Sequence, residues 1–148
     1  MSPAIRLSFI NALWLTLILS FFQVSPVVAD SADPWFSDTA ESANGAFSVT
    51  LQSVESEFAL NVFRIWHLTV IDRQSGEAIT PARVTVGGGM PMHGHGLPSQ
   101  PQVTEYLGEG RYQIEGLKFN MLGKWVLEFE IITKQAADTV RFEFLLDY

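Results

Sequence analysis

Two runs near the C-terminus limit what this chain can fold into. From Lys124 to Thr133, the residues Trp125, Leu127, Phe129 and Ile131 alternate with Lys124, Glu128 and Glu130. Between Val140 and Leu146 the pattern repeats, with Val140, Phe142, Phe144 and Leu146 set against Arg141 and Glu143. Successive side chains of a strand point to opposite faces. Each run therefore covers a core with one face and meets water with the other. After residue 45 no long stretch keeps a helical period, so the domain is read as all-β.

Earlier segments carry weaker forms of the same signal. Phe47, Val49 and Leu51 alternate with Ser48, Thr50 and Gln52. Val62 to Ile71 is rich in β-branched and aromatic residues and ends in the turn Asp72-Arg73-Gln74-Ser75-Gly76. Arg83 to Val86 is a short strand closed by Gly87-Gly88-Gly89, and Gln102 to Leu107 is another, followed by Gly108-Glu109-Gly110. Tyr112, Ile114 and Leu117 mark one more. About seven strands in roughly 100 residues, with turns at this spacing, predict an immunoglobulin-like antiparallel β-sandwich. Leu107 to Tyr112 has the spacing of a tyrosine corner, and a glycine turn leading into a core tyrosine gives the same string.

The N-terminus reads differently. Leu7 to Val24 is almost unbroken apolar sequence behind a single positive charge, Arg6, and Ser25-Pro26-Val27-Val28-Ala29 follows, with small residues suited to a cut after Ala29. This is the layout of a secretory signal peptide over 1–29. The alternative is an uncleaved anchor in the inner membrane, since the apolar stretch is near the short end of what spans a bilayer. A flexible lead-in over 30–45, rich in Asp, Ser, Ala and Glu, then precedes the sandwich domain at 46–148. The expected location is the bacterial periplasm.

Removing 1–29 takes away one basic residue, Arg6, and leaves 8 basic against 16 acidic side chains. That balance argues against nucleic acid and anionic membrane surfaces, both of which need clustered Lys and Arg. The chain has no cysteine. Disulfides, thiolate metal sites, cysteine nucleophiles and a lipid anchor on cysteine are excluded together.

One segment stands apart from the scaffold. Gly87 to Pro98 holds two of the three histidines and two of the four methionines, in a loop between strands. His93 and His95 are two residues apart, which in extended chain places them on one side at roughly 6–7 Å. Two imidazoles at that spacing can converge on one ion. Met90 and Met92 share the spacing, and thioether sulfur favours Cu(I) while imidazole suits copper and zinc alike. Met121, in the turn Phe119 to Gly123, belongs to a loop at one end of the sandwich and is a further candidate ligand. His67 lies in a strand and reads as a core or hydrogen-bonded residue. A loop methionine can also simply plug the open end of a sandwich, and a loop histidine can simply bond a carbonyl. Enzyme readings fail on the residues: no glycine-flanked serine has His and Asp partners, the triple glycine lacks the Lys-Ser/Thr of a phosphate loop, and no HExxH occurs. Glu128, Glu130 and Glu143 read as a solvated strand face.

With these residues in view, Val84 to Ile131 resembles the YtkA-like/FixH-like family of small exported bacterial domains. The resemblance rests on Gly88-Gly89-Met90-Pro91, His93-Gly94-His95-Gly96-Leu97-Pro98, Pro101-Gln102-Val103-Thr104, Leu107 to Tyr112, Glu115 to Phe119 and Met121 to Trp125, with Gly76-Glu77-Ala78 and Ala82-Arg83-Val84 upstream. It implies an immunoglobulin-like sandwich, exported or membrane-tethered, with relatives in the wider group linked to copper handling and to assembly of copper-containing oxidases. Met90, His93, His95 and Met121 carry over as the shared loop signature. Met92 departs from it, standing where a polar or acidic residue is expected. The resulting expectation is a non-enzymatic accessory protein binding or delivering copper, with an envelope partner such as a copper-protein assembly factor. The alternative is a metal-independent interaction module that uses the same loop.

Overall fold

The computed structural model describes residues 33–147, so the signal peptide or anchor expected over 1–29 lies outside the described residues. Among the described residues nine strands run in order: β1 (Ser37–Glu41), β2 (Phe47–Ser53), β3 (Arg64–Asp72), β4 (Arg83–Met90), β5 (His95–Gly96), β6 (Gln102–Gly108), β7 (Arg111–Leu117), β8 (Gly123–Ile132) and β9 (Ala137–Leu146). A single 3-10 turn, Pro91–His93, separates β4 from β5. One sheet has the order β1-β2-β3-β7-β6 and the other β5-β4-β8-β9, and every pairing is antiparallel. The all-β sandwich expected from the period-two runs is present.

The alternation that predicted the strands is the alternation that fills the core. In β2, Phe47, Val49, Leu51 and Ser53 are buried and the residues between them are half-buried. Trp66, Leu68 and Val70 of the first sheet share one cluster with Trp125, Leu127, Phe129, Val140 and Phe142 of the second. Each such side chain contributes roughly 1.5–3 kcal/mol relative to exposure. On the wet face of the second sheet, Glu128 lies opposite Arg141 in the register, and the two are 3.2 Å apart.

Two features depart from the sequence reading, and a third falls on the core-tyrosine side of an alternative it left open. The sandwich has two strands more than the seven expected. One of them, β1, falls inside the segment expected to be a flexible lead-in. It pairs with β2 over five residues, and Phe36 just before it packs on Trp66 and Phe144, with ring centres 5.5 and 4.9 Å away. Second, the triple glycine does not end a strand but lies within β4, paired with Glu128, Leu127 and Val126 of β8. Third, the Tyr112 hydroxyl does not close its own turn. It donates to the Ile79 carbonyl at 2.8 Å and accepts from the Ala82 amide at 3.1 Å, tying β7 to the segment that leads into β4.

Asp138 fastens the β1–β2 connection to β9. Its carboxylate, only 4% exposed, accepts from the Asn44 amide and side chain, the Ala46 amide and the Thr139 amide. Burial pushes this carboxyl up, and the hydrogen bonds from Ser42, Thr139, Asn44 and Ala46 more than reverse that, holding it down at about 2.

Candidate functional site

The Met/His segment is a hairpin at the end of the sandwich where β2, β4, β7 and β9 finish and β3 and β8 begin. β4 carries the chain to Met90. Pro91 opens the 3-10 turn, Gly94 closes it in the left-handed conformation (φ 66°), and β5 returns with His95 opposite Met90 and Gly96 opposite Gly89. The return is tight. A Cβ on Gly89 (φ 152°) would lie 2.3 Å from the His95 carbonyl oxygen, so only glycine admits this backbone approach.

The hairpin sorts the predicted ligands. Pro91 through Gly96 are all exposed. The His93 and His95 ring centres are 6.0 Å apart and their planes are inclined by 34°. An ion bonded at ~2.0 Å to one nitrogen of each ring would sit ~3 Å from each ring centre, so a ring spacing near 6 Å is within reach of a shared ion. His95 is also oriented. Its Nδ1 lies 3.0 Å from the Gly96 carbonyl oxygen. A carbonyl only accepts, so this bond puts the ring proton on Nδ1 and leaves the Nε2 lone pair for a cation, as in metal-binding histidines whose second nitrogen donates to a carbonyl. The edge of the ring approaches Trp125, 6.2 Å away between centres.

The methionines separate. Met90 has no exposed surface and belongs to the core cluster. In the observed conformation its sulfur is closed off from a surface ion, which corrects the expectation that Met90 and Met92 act as a pair. Met92 is 84% exposed. It lines a groove of about 190 Å³ with Pro91, Lys124, Val126, Arg141 and Glu143, on the wet face of the second sheet. Met121 packs its side chain against the core, and its carbonyl accepts from the Trp125 indole at 3.0 Å. Met121 therefore acts as a support for Trp125. The structure brings His93 and His95 together, leaves Met92 beside them in sequence, buries Met90 completely and packs the half-buried Met121 against the core. Among the described residues no group of three or more His, Asp or Glu side chains is arranged to hold a metal. Among the described residues, the side chains the hairpin itself offers an ion are the two imidazoles and the Met92 thioether.

His67 sits apart, on the outer face of the first sheet between Gln52 and Gln113. It is not a core residue. Burial, and then the charge of Arg111, hold its imidazole below the usual histidine range. The residues that sequence reasoning missed are Lys124 and Arg141, read only as strand polar positions. The pairing of β8 with β9, which sets Lys124 opposite Leu145 and Glu128 opposite Arg141, is what puts them beside the hairpin.

The sequence profile of the YtkA-like family matches residues 41–130, from the end of β1 into β8 and across the whole hairpin. The chain belongs to the YtkA-like family. No curated protein and no solved structure matches it. The match places the Met/His hairpin of this YtkA-like domain within the shared segment.

Proposed function

We propose that this YtkA-like protein is an exported, non-enzymatic accessory protein of the periplasm that binds copper on the β4–β5 hairpin. His93 and His95 are the ligands, and Met92 supplies a neighbouring thioether. What carries the reading is the exposed imidazole pair with rings 6.0 Å apart and His95 oriented through Nδ1. Imidazole alone suits zinc and copper equally, and the exposed thioether tips the set toward copper. A set with so few donors holds an ion loosely and leaves positions open for incoming ligands. That suits delivery by ligand exchange to an envelope partner, such as a copper-protein assembly factor. Competition titration of the purified protein with Cu(I) and Cu(II), beside a His93→Ala/His95→Ala variant, tests it. One ion bound per chain and lost in the variant is the expected result. Equal uptake by both proteins overturns it.

A second reading, a metal-independent interaction module, draws on a separate observation. Of the six exposed large hydrophobic residues among those described, five lie at the hairpin's end of the sandwich: Val54, Val62, Phe63, Met92 and Leu145. Exposed apolar residues gathered at one end mark a contact surface. A partner captured equally well in the presence of chelator, and lost with Phe63→Ser and Met92→Ser, would favour this reading over the first.

A further inference from the structure

We infer that Met92 is a site of reversible sulfoxidation, and that the oxidised side chain is drawn onto the groove beside it. The inference rests on the proposed role of the hairpin as the working surface. The chain's oxidation pattern can be read whether or not copper binds.

The structure gives the three described methionines different environments. Met92 is 84% exposed and Met90 is fully buried, while Met121 is half-buried against the core. Thioether oxidation follows access. A peroxide meets Met92 first. The sulfur gives two electrons to the peroxide, the O–O bond breaks, one oxygen becomes the sulfoxide oxygen, and the other leaves as water with both protons. No further reactant is needed.

The groove then has something to hold. Met92 shares it with Lys124, Arg141 and Glu143. Arg141 pairs with Glu128 at 3.2 Å and with Glu143 at 2.9 Å, and Lys124 also pairs with Glu143. An ammonium has three donors, so pairing with one carboxylate leaves Lys124 able to donate to a sulfoxide oxygen. The thioether has little to offer these cations, whereas the sulfoxide oxygen is a strong acceptor. Oxidation thus changes an apolar, soft side chain projecting into water into a polar one with a charged neighbour. It commits one of the two sulfur lone pairs to oxygen and makes the sulfur a poorer donor to Cu(I), and it removes the most exposed member of the apolar end. Because the position is exposed, a sulfoxide reductase can reach it and reverse the change.

The test is peroxide titration of the purified protein, with peptide mass mapping for the gain of one oxygen. Met92 is expected to oxidise roughly tenfold faster than Met90, with Met121 between them. Equal rates at Met92 and Met90 overturn the inference. Amide NMR of the oxidised protein is expected to shift Lys124, Val126, Arg141 and Glu143, with the shifts reversed by methionine sulfoxide reductase and absent in Met92→Leu. Shifts confined to residues 91–94 overturn the groove contact. Cu(I) affinity is expected to fall severalfold on oxidation of the wild type and to be unaffected by peroxide in Met92→Leu. If the unoxidised protein binds no copper, the proposed metal function fails and the oxidation order still decides the modification site.

Discussion

The Cε of Met90 lies 2.8 Å from the point where a Cβ on Gly123 would sit. The first residue of β8 thus forms one wall of the slot that holds the last residue of β4. Gly123 also has φ 124°, a backbone conformation that side chains resist. Gly123→Ala is expected to destabilise the domain by about 2–3 kcal/mol, from strain and overpacking together. Met90→Ala should cost about 2–5 kcal/mol through the cavity it leaves. Met92→Ala should stay within about 0.5 kcal/mol of wild type, as exposed positions do. Urea unfolding midpoints of the three variants separate a core methionine from a surface one.

Gly89→Ala attacks the hairpin more directly. The new Cβ would meet the His95 carbonyl oxygen at 2.3 Å and the Gly96 Cα at 2.6 Å. The two-residue ladder of β5 is expected to open while β2, β3, β7, β8 and β9 remain. Amide exchange should show loss of protection confined to the hairpin. Copper affinity should fall at least about tenfold as the two rings lose their fixed spacing, a change of about 1.4 kcal/mol. Unchanged affinity with an open hairpin would show that the ladder does not organise the ligands.

Asp138 sets an acid limit. Its folded-state carboxyl is held at about 2, below the ordinary 3.8. The unfolded state binds the proton more readily, so stability from this group is present above the ordinary carboxylate range and is lost as pH falls toward about 2. With solvent screening allowed for, the group is expected to contribute on the order of 1 kcal/mol near neutral pH. Asp138→Asn should lower the unfolding midpoint at pH 7 and flatten its fall between about pH 4 and pH 2. The readout is urea unfolding at a series of pH values.

His67 works in the same direction at milder pH. Burial and Arg111 lower its folded-state pKa, so the unfolded state again binds the proton more readily. Stability is whole above the ordinary histidine value and decreases as pH falls through the lowered one. His67→Gln is expected to remove that part of the slope between neutral and mildly acidic pH, with histidine ring NMR shifts giving the titration itself.

The sequence was legible where side chains repeat with period two against a core. β8 and β9 were plain because Trp125, Leu127 and Phe129, or Val140 and Phe142, bury one face while charged residues take the other. β1 was not, because Ser37, Asp38, Thr39 and Glu41 are exposed and only Ala40 is half-buried, so an edge strand leaves no alternation to read. The triple glycine looked like a break because glycine is usually one. Here it lets the β8 backbone come close: a Cβ on Gly88 would lie 2.2 Å from the Val126 carbonyl oxygen. The histidine pair was legible from its spacing, although a 3-10 turn rather than extended chain brings the rings together. The methionine pair shared that spacing and came apart. The strand period holds only up to Met90, and Pro91 starts a turn that sends Met92 to the other side.

The hairpin's frame is held by backbone approach at Gly89 and by the buried Met90, while positions 92, 93 and 95 are exposed. Mutational drift is therefore unevenly filtered across seven adjacent residues. Changes to the frame are costly because they open the hairpin, at Gly89, or leave a cavity in the core, at Met90. Changes at the three outward positions leave the fold whole and alter only the donor chemistry on offer. A scaffold partitioned in this way can acquire, exchange or lose a ligand set one codon at a time, without passing through an unstable ancestor.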